Sequence, residues 1–261
     1  MVEFYGRVFR DTKTTDENPV VTMITIEGQK MMLLNGGDYF KPNASISFLV
    51  NCVSADEVVE LWDKLADEGI SLMPLDSYPF AIKYGWVMDK YGVTWQLYYN
   101  DKEISQRFTP TLMFLGQNNG KFAQAIEYYT GIFPNSGNAS IMKYSEGTEN
   151  FENPDNIQHA QFDIDGYTLM GMDSSYDHQF SFTEGISLVV NCKDQKEMDY
   201  YWQKLIENGG EESQCGWLKD KYGVSWQIIP ANLSEILSEY PKAMDSLMKM
   251  KKIILSDLKQ K

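Results

Sequence analysis

The chain has 261 residues, of which 43% are hydrophobic and 23% are charged, and its formal net charge is −14. This composition is typical of a globular protein with one or two domains. The acidic balance argues against nucleic acid and anionic membranes as partners, since both repel a negatively charged chain.

Cysteine and histidine are both scarce. The three cysteines form no CxxC pair and the N-terminus lacks a secretory leader, so we expect a cytoplasmic protein without disulfides. The histidines, His159 and His178, are too few for a three-histidine zinc site within one chain. No apolar run reaches the roughly 18 residues of a membrane helix, so no membrane partner is expected.

The first predicted elements are a short helix and a hairpin. Val2, Tyr5 and Phe9 recur at helical spacing. The run Ile24–Leu34 then alternates on both sides of Glu27-Gly28, a dipeptide that favours a tight hairpin turn.

A buried strand and a capped helix follow. ISFLVNC (Ile46–Cys52) has the apolar, β-branched composition of a buried strand. Ser54 and Glu57 have the spacing of an N-terminal capping box, and Gly69 suits a left-handed residue after the helix. The apolar residues between them share one helical face: Val58, Leu61, Trp62, Leu65 and Ala66.

GWVMDKYGVTWQ (Gly85–Gln96) reads as a hairpin, with glycine where a turn needs a positive φ. In the strand after the turn, the apolar row around Trp95 is expected to pack on the preceding helix. Thr94, Gln96 and Tyr98 point to the opposite face. Because no helix is predicted on that side, this polar row is expected to line a cavity.

The chain then repeats this order. ISLVVNC (Ile186–Cys192) matches the first copy 140 positions later, and GWLKDKYGVSWQ (Gly216–Gln227) matches it 131 positions later. The difference gives copy one nine extra residues before its closing hairpin. Copy two begins with a strand, Thr111–Leu115, and a helix, Lys121–Thr130. Its order of strand, helix and three strands, used twice, predicts tandem βαβββ modules.

Copy one has no counterpart of the strand Thr111–Leu115, because Val2–Phe9 already matches the helix Ile126–Phe133. A sheet without that strand leaves backbone groups unpaired at an edge. We expect the gap to be filled by another segment, by a second chain, or by residues encoded upstream of Met1.

The last 30 residues form a tail. Asn232 and Glu235 have capping spacing before an apolar helical stripe, and a second stripe follows Pro241. We expect the tail to pack on the protein's own body or on a second copy, which leaves a homodimer open. The predicted domains are 1–100, 107–231 and the tail 232–261.

Paired βαβββ modules that close in GW-x-x-D-K-Y-G-V-[ST]-W-Q resemble the vicinal oxygen chelate superfamily of glyoxalases, bleomycin-resistance proteins and extradiol dioxygenases. WLKDKYGVSWQIIP, HAQFDIDG and LVVNC resemble its PhnB-like branch, whose members carry the name 3-demethylubiquinone-9 3-methyltransferase domain. The resemblance implies an α+β fold in which tandem modules form a pseudo-symmetric pair of curved mixed sheets around a cavity. In this chain a C-terminal helix is expected in addition to the two copies.

Enzymes of that superfamily hold a divalent metal, and the resemblance implies where its ligands would lie. The glutamate late in the last strand falls on Gln96 and Gln227. The fifth-strand position falls near Ser45 in copy one and Gly185 in copy two. The first-strand position falls near Thr109 or Thr111 in copy two and does not exist in copy one. A neutral glutamine binds metal weakly without carboxylate or imidazole partners, so we expect no metal site of the family type and no cofactor.

The strand HAQFDIDG places His159 and Gln161 on one face, near Asp173. His159 is either a polar group of the cavity or a structural histidine. The predicted ligand-binding residues are Thr94, Gln96, Tyr98, His159, Gln161, Ser225 and Gln227.

Three functions remain open from the sequence. The first is binding of a small molecule, of unknown identity, in a cavity without the superfamily metal. The second is a metal-dependent lyase or dioxygenase-type enzyme with a metal held by His159 and acids elsewhere, and the third is an assembly module that uses the tail. A methyltransferase is not supported, because no Gly-rich loop lies between a strand and a helix.

Overall fold

The computed structural model describes residues 1–17, 20–37, 39–144 and 152–260. The chain forms two compact units, Met1–Ser181 and Phe182–Lys261. The boundary lies inside the second sequence copy, so the first unit contains copy one together with the first module of copy two. The predicted α+β class with curved mixed sheets is confirmed.

The first unit contains the helices α1 (Val2–Val8), α2 (Ala55–Leu65) and α3 (Phe122–Ile132). A single turn of 3-10 helix, Gly116–Asn118, precedes α3. The strands of this unit are β1 (Thr12–Glu17), β2 (Val21–Ile26), β3 (Gln29–Leu34), β4 (Ile46–Asn51), β5 (Ile70–Tyr78), β6 (Ala81–Met88), β7 (Thr94–Tyr99), β8 (Phe108–Leu115), β9 (Gly137–Lys143), β10 (Ile157–Ile164) and β11 (Tyr167–Ser174).

The two sequence copies share one large sheet in this unit. Eight strands lie in the order β5-β6-β7-β4-β8-β11-β10-β9, and β1-β2-β3 form a separate antiparallel sheet. The centre of the large sheet is the antiparallel pair β4·β8, in which Ser47 lies opposite Thr111. One half of the sheet is a βαβββ module of copy one and the other half is a module of copy two.

The second unit is the last βαβββ module with the tail. It contains β12 (Ser187–Cys192), α4 (Gln195–Ile206), β13 (Glu211–Glu212), β14 (Trp217–Lys219) and β15 (Ser225–Pro230), with strand order β12-β15-β14-β13. The nine extra residues of copy one lengthen β5 and β6, which correspond to the much shorter β13 and β14.

The tail consists of short helices rather than one: α5 (Leu233–Glu239), α6 (Ala243–Leu247) and α7 (Leu255–Leu258). The predicted Asn232 side-chain cap is not formed. The backbone N–H groups of Cys215 and Gly216 donate to Met250 and Lys251, and Ile253 is fully buried. The tail therefore packs on its own unit, as one of the two sequence alternatives proposed.

The predicted helix cap is confirmed for α2, and α4 has the same cap. The Glu57 backbone N–H donates to Ser54 Oγ at 3.1 Å, and the Glu57 carboxylate accepts from the Val53 N–H at 2.7 Å. Asp194 and Glu197 repeat this arrangement in copy two, at 2.9 and 2.7 Å. The same local sequence thus builds the same reciprocal cap twice.

The turn predictions are confirmed, with one correction. Glu27-Gly28, the predicted turn, has two consecutive positive φ angles, which fits a type I′ hairpin turn, and Asp165-Gly166 of copy two has the same conformation. Gly69 was expected to be left-handed, but Glu68 has the positive φ of 59° instead. Gly69 is needed for close approach, since a Cβ there would lie 2.6 Å from the backbone oxygens of Leu65 and Met88.

The core of the first unit lies between helices and sheet. Trp95 is 1% exposed and packs with Phe9 and Phe48, at ring centroid distances of 5.0 and 5.4 Å. Val58 and Leu65 of α2 are fully buried in the same cluster. Burial of such side chains stabilises the fold by about 1.5–3 kcal/mol each, so the predicted apolar rows do face the helices.

The gap predicted in copy one is present. The first strand of copy two, β8, pairs in parallel with β11 and antiparallel with β4. The strand that corresponds to β11 is β3, and the strand that corresponds to β4 is β12. Both β3 and β12 are edge strands of their sheets. Within the described part of the chain, no strand fills the position beside β3. None of the described helices is long and apolar enough to cross a membrane.

Candidate ligand-binding site

The polar row of β7 lies on the face of the large sheet opposite the helix-covered core. Thr94, Gln96 and Tyr98 pair with Ser47, Leu49 and Asn51 of β4, and residues paired in a ladder project to the same face. Thr94 and Gln96 are buried, at 0 and 5% exposure. The alternation read from the sequence therefore places these three residues correctly.

His159 and Gln161 of β10 lie on the same face of the same sheet. A continuous ladder connects Thr94 to Gln161 through Ser47, Thr111 and Met170. Because adjacent strands are about 4.8 Å apart, Thr94 and Gln161 are separated by roughly 19 Å along the sheet. A single small ligand therefore contacts both Thr94 and Gln161 only if the curvature of the sheet brings the two residues closer together.

His159 is half-buried opposite Met142 of β9. Burial lowers the pKa of the His159 imidazole, because a buried ring loses the hydration that stabilises its charged form. Among the described residues its ring forms no hydrogen bond. Asp173 does not share this face, because it pairs with Phe114, in the row opposite to Thr111; its carboxylate accepts from the backbone N–H groups of Gly120, Phe122 and Ile157.

The carboxylate of Asp173 lies at the loop LGQNNGK (Leu115–Lys121), which leads into α3. Its Oδ1 accepts from Gly120 at 2.8 Å and from Phe122 at 3.2 Å, at the start of α3. A carboxylate of the protein itself thus occupies the N–H groups that a bound phosphate would need. Burial raises the pKa of this carboxyl, and the three backbone donors oppose the shift.

Gln96 is held at both ends of its amide. Its Nε2 donates to Ser47 Oγ at 2.7 Å, and its Oε1 accepts from Tyr84 Oη at 2.8 Å. Burial raises the pKa of the Tyr84 hydroxyl, so it remains protonated and able to donate. Sequence reasoning missed both partners, although the serine recurs in ISFLVNC and ISLVVNC.

Ser225 and Gln227 take the corresponding positions in the second unit. They pair with Ser187 and Val189 of β12, and Gln227 Nε2 donates to Ser187 Oγ at 2.8 Å. Ser225 and Gln227 are only 1 and 4% exposed. The glutamine–serine contact is therefore a repeated feature, and the aligned serine is its sequence signal.

The aspartate of DKYG has a structural role that the sequence reading left out. Asp89 Oδ1 accepts from the backbone of Tyr91 and Val93, while Oδ2 accepts from Trp95 Nε1 and Tyr5 Oη, both at 2.9 Å. Asp220 repeats the backbone and indole contacts in copy two. The repeated motif thus locks its own turn to its buried tryptophan.

The residues at the metal-ligand positions of the superfamily do not fit a divalent ion. Gln96 and Thr111 stand at two of the predicted positions, and Ser47 lies two residues from the predicted Ser45; all three side chains are neutral and lie on this face. The amide oxygen of Gln96 already accepts from Tyr84. Divalent metals in such sites prefer carboxylate and imidazole donors. In the described residues, no three His, Cys, Asp or Glu side chains cluster as an alternative donor set.

A small cavity of about 40 Å³ lies at the end of the β7 row. Asn51 and Tyr98 form one side, and Lys102 and Glu103 of the following loop form another. The volume suffices for water but not for a metabolite. This cavity is therefore not the ligand site that the sequence predicts.

Tandem βαβββ modules on curved mixed sheets define the class of the protein as the glyoxalase type of fold. Maize glyoxalase I matches it with a TM-score of 0.56 at 12% identity, covering 91% of this chain and 89% of that chain. An identity this low shows the fold alone.

The family follows from the sequence. The protein-family model described as 3-demethylubiquinone-9 3-methyltransferase matches residues 2–98 and 106–229. The chain belongs to this PhnB-like family. A Bacillus cereus protein described as a putative 3-demethylubiquinone-9 3-methyltransferase, PhnB protein, is 36% identical over 48% of this chain and 98% of that chain, with a TM-score of 0.42. No curated protein matches the chain.

Proposed function

We propose that the protein binds a small organic molecule on the polar face of its sheets, without the metal of the superfamily enzymes. The observation that supports this most strongly is the glutamine at the metal position in both copies, each bound to a serine. A hydroxyl and amide surface recognises a ligand by hydrogen bonds and offers no Lewis acid.

The metal-dependent alternative lacks a donor set in the described residues, because no three His, Cys, Asp or Glu side chains cluster there, around His159 or elsewhere. The assembly alternative is weakened because the buried apolar residues of the tail, Ile253 and Leu258, already pack in the chain itself. With three free cysteines, the binding function is proposed for the reducing cytoplasm.

A thermal-shift screen of metabolites and divalent metals tests the proposal. We expect at least one metabolite to raise Tm in a concentration-dependent way, as linkage requires of a ligand that binds only the folded state. Zn²⁺, Mn²⁺, Ni²⁺ and Fe²⁺ should bind less than stoichiometrically to protein purified without chelator. A stoichiometric metal in the purified protein would contradict the proposal and favour the enzyme.

A further inference from the structure

We propose that the ligand contacts copy two and not copy one, through Ser225 Oγ and Gln227 Oε1, and that it presents an N–H donor and carries no negative charge. This inference rests on the proposed binding function and names the half of the protein that performs it. It is carried by a difference between two sites that are nearly identical in sequence.

In copy one the side chains of Thr94 and Gln96 are satisfied within the protein. Thr94 Oγ1 donates to the Ile46 carbonyl at 3.3 Å, and Gln96 Oε1 accepts from Tyr84 Oη at 2.8 Å. Gln96 Nε2 donates to Ser47. A ligand would have to break one of these buried hydrogen bonds to gain its own, which cancels most of the gain.

In copy two the same positions are unsatisfied. Among the described residues, Ser225 Oγ is buried and has no hydrogen-bond partner. Gln227 donates to Ser187, but no described donor reaches its Oε1. The residue aligned with Tyr84 is Cys215, whose Sγ contacts the tail at Leu247 and Met248 instead. Buried polar groups are normally paired, so the unpaired Ser225 Oγ, on the same strand face as an amide oxygen without a described donor, indicates a missing partner.

The neighbours of these atoms restrict the ligand. Trp217 pairs with Gln227 in β14 and is half-buried, so its ring offers an apolar surface next to the amide oxygen. Lys219 pairs with Ser225, and its ammonium lies 3.4 Å from Glu184 and 3.0 Å from Glu211. Two carboxylates against one ammonium leave a local negative charge.

The chemistry of the ligand follows from these groups. A glutamine carbonyl oxygen only accepts hydrogen bonds, so its partner must donate. The surplus carboxylate disfavours an anion and tolerates a neutral or cationic molecule. Ser225 and Gln227 are two residues apart on a strand, roughly 7 Å between Cα atoms. A compact molecule with an apolar ring and an amide or amine group satisfies both.

The first test compares matched variants without any ligand. Gln96→Met and Thr94→Val remove satisfied buried hydrogen bonds, so each should lower Tm by about 3–6 °C. Ser225→Ala removes a hydroxyl that has no partner and should leave Tm unchanged or raise it. Gln227→Met should cost less than Gln96→Met, because it loses one hydrogen bond rather than two. Equal losses in the two copies would overturn the inference.

The second test uses benzamide, benzylamine and benzoate as probes of one ring size, followed by NMR of labelled tryptophan indoles. Benzamide and benzylamine should shift the Trp217 signal, with benzoate ineffective. Gln227→Met should weaken binding about tenfold, the effect of losing one hydrogen bond of about 1.4 kcal/mol. Gln96→Met should bind the probes as the unaltered chain does.

The outcomes separate this inference from the proposed function. If a metabolite from the thermal-shift screen still binds to Gln227→Met but not to Gln96→Met, the protein binds ligands and the choice of copy two is wrong. Binding of benzoate as tight as that of benzamide contradicts the ligand class. If no metabolite and no probe binds, the binding function itself fails, whatever the stability of the variants.

Discussion

At the scale of single residues, the repeated motif separates into residues that hold the fold and residues that form the candidate site. The aspartate and tryptophan of DKYGV[ST]WQ are buried and bound to each other in both copies. The glutamine faces the other side of the sheet, where it contacts a serine. The aspartate therefore recurs in both copies because the fold needs it. The candidate site is formed by the polar residues of the strand, which face the other side of the sheet.

Replacement of Asp89 by asparagine should destabilise the first unit by about 2–3 kcal/mol. The asparagine amide would place its N–H₂ group against the indole N–H of Trp95 or against the backbone N–H groups of Tyr91 and Val93, which can only donate and therefore need an acceptor. Urea denaturation followed by tryptophan fluorescence measures the change. Asp67→Asn, at an exposed position, is the control and should leave the midpoint where it is.

His159 should make stability depend on pH. Its folded pKa lies below the ordinary value of about 6.5. The unfolded state therefore binds the proton first, and stability is lost as pH falls from about 6.5 towards the folded pKa. In His159→Gln, the unfolding free energy should fall less between pH 7.5 and 5.5 than in the unaltered chain. Parallel pH profiles for the two proteins would show that the imidazole is not buried as described.

At the scale of elements, one arginine connects three parts of the first unit. Arg107 lies 2.7 Å from Glu27 at the β2–β3 turn and 2.8 Å from Glu57 in the first turn of α2. It also donates to the Asn51 carbonyl at the end of β4. The side chains of Arg107 and Glu57 are 16 and 10% exposed, so solvent screens this pair only weakly.

Arg107→Met should therefore cost about 2–3 kcal/mol, because it leaves the Glu57 carboxylate largely buried without its cation. Arg107→Lys should recover only part of the loss, since an ammonium cannot bind both carboxylates in a forked geometry. Chemical denaturation at low and high salt measures both. The exposed pair Arg10–Glu60 supplies the control, and Arg10→Met should not move the midpoint.

At the scale of the whole molecule, the tail is part of the second unit. The Gln195 side chain donates to the Ile253 carbonyl and accepts from the Leu255 N–H, and Lys252 lies 2.6 Å from Asp199. Ile253 also packs against Gly216, where a Cβ would lie 2.9 Å from it. These contacts fasten the tail to α4 and to the closing hairpin.

Deletion of residues 241–261 should lower Tm and expose the second unit to protease. Ile253→Ala in the full chain should cost about 2–4 kcal/mol, as expected for a fully buried isoleucine. Differential scanning calorimetry and limited proteolysis measure these effects, and light scattering reports the solution mass. A deletion that changes the mass but not the melting would instead assign the tail to assembly.

Much of the fold was determined by the sequence alone. The repeated strand, capped helix and closing hairpin are set by local periodicity, by Ser54 and Asp194 as caps and by Gly92 and Gly223 at positive φ. Alternation along β7 and β15 decided which residues face the candidate site. Such features depend only on residues that are close in the chain, so the amino-acid sequence suffices to predict them.

Tertiary structure decided which partners those residues meet. Strand pairing joined modules of different copies in one sheet, because β4 and β8 lie far apart in sequence but meet as an antiparallel pair. The same long-range pairing gave Gln96 its serine, and the neighbouring strand gave it Tyr84. Two glutamines in one repeated motif therefore acquired different hydrogen-bond states, and only the folded chain shows which of them has an acceptor left to offer.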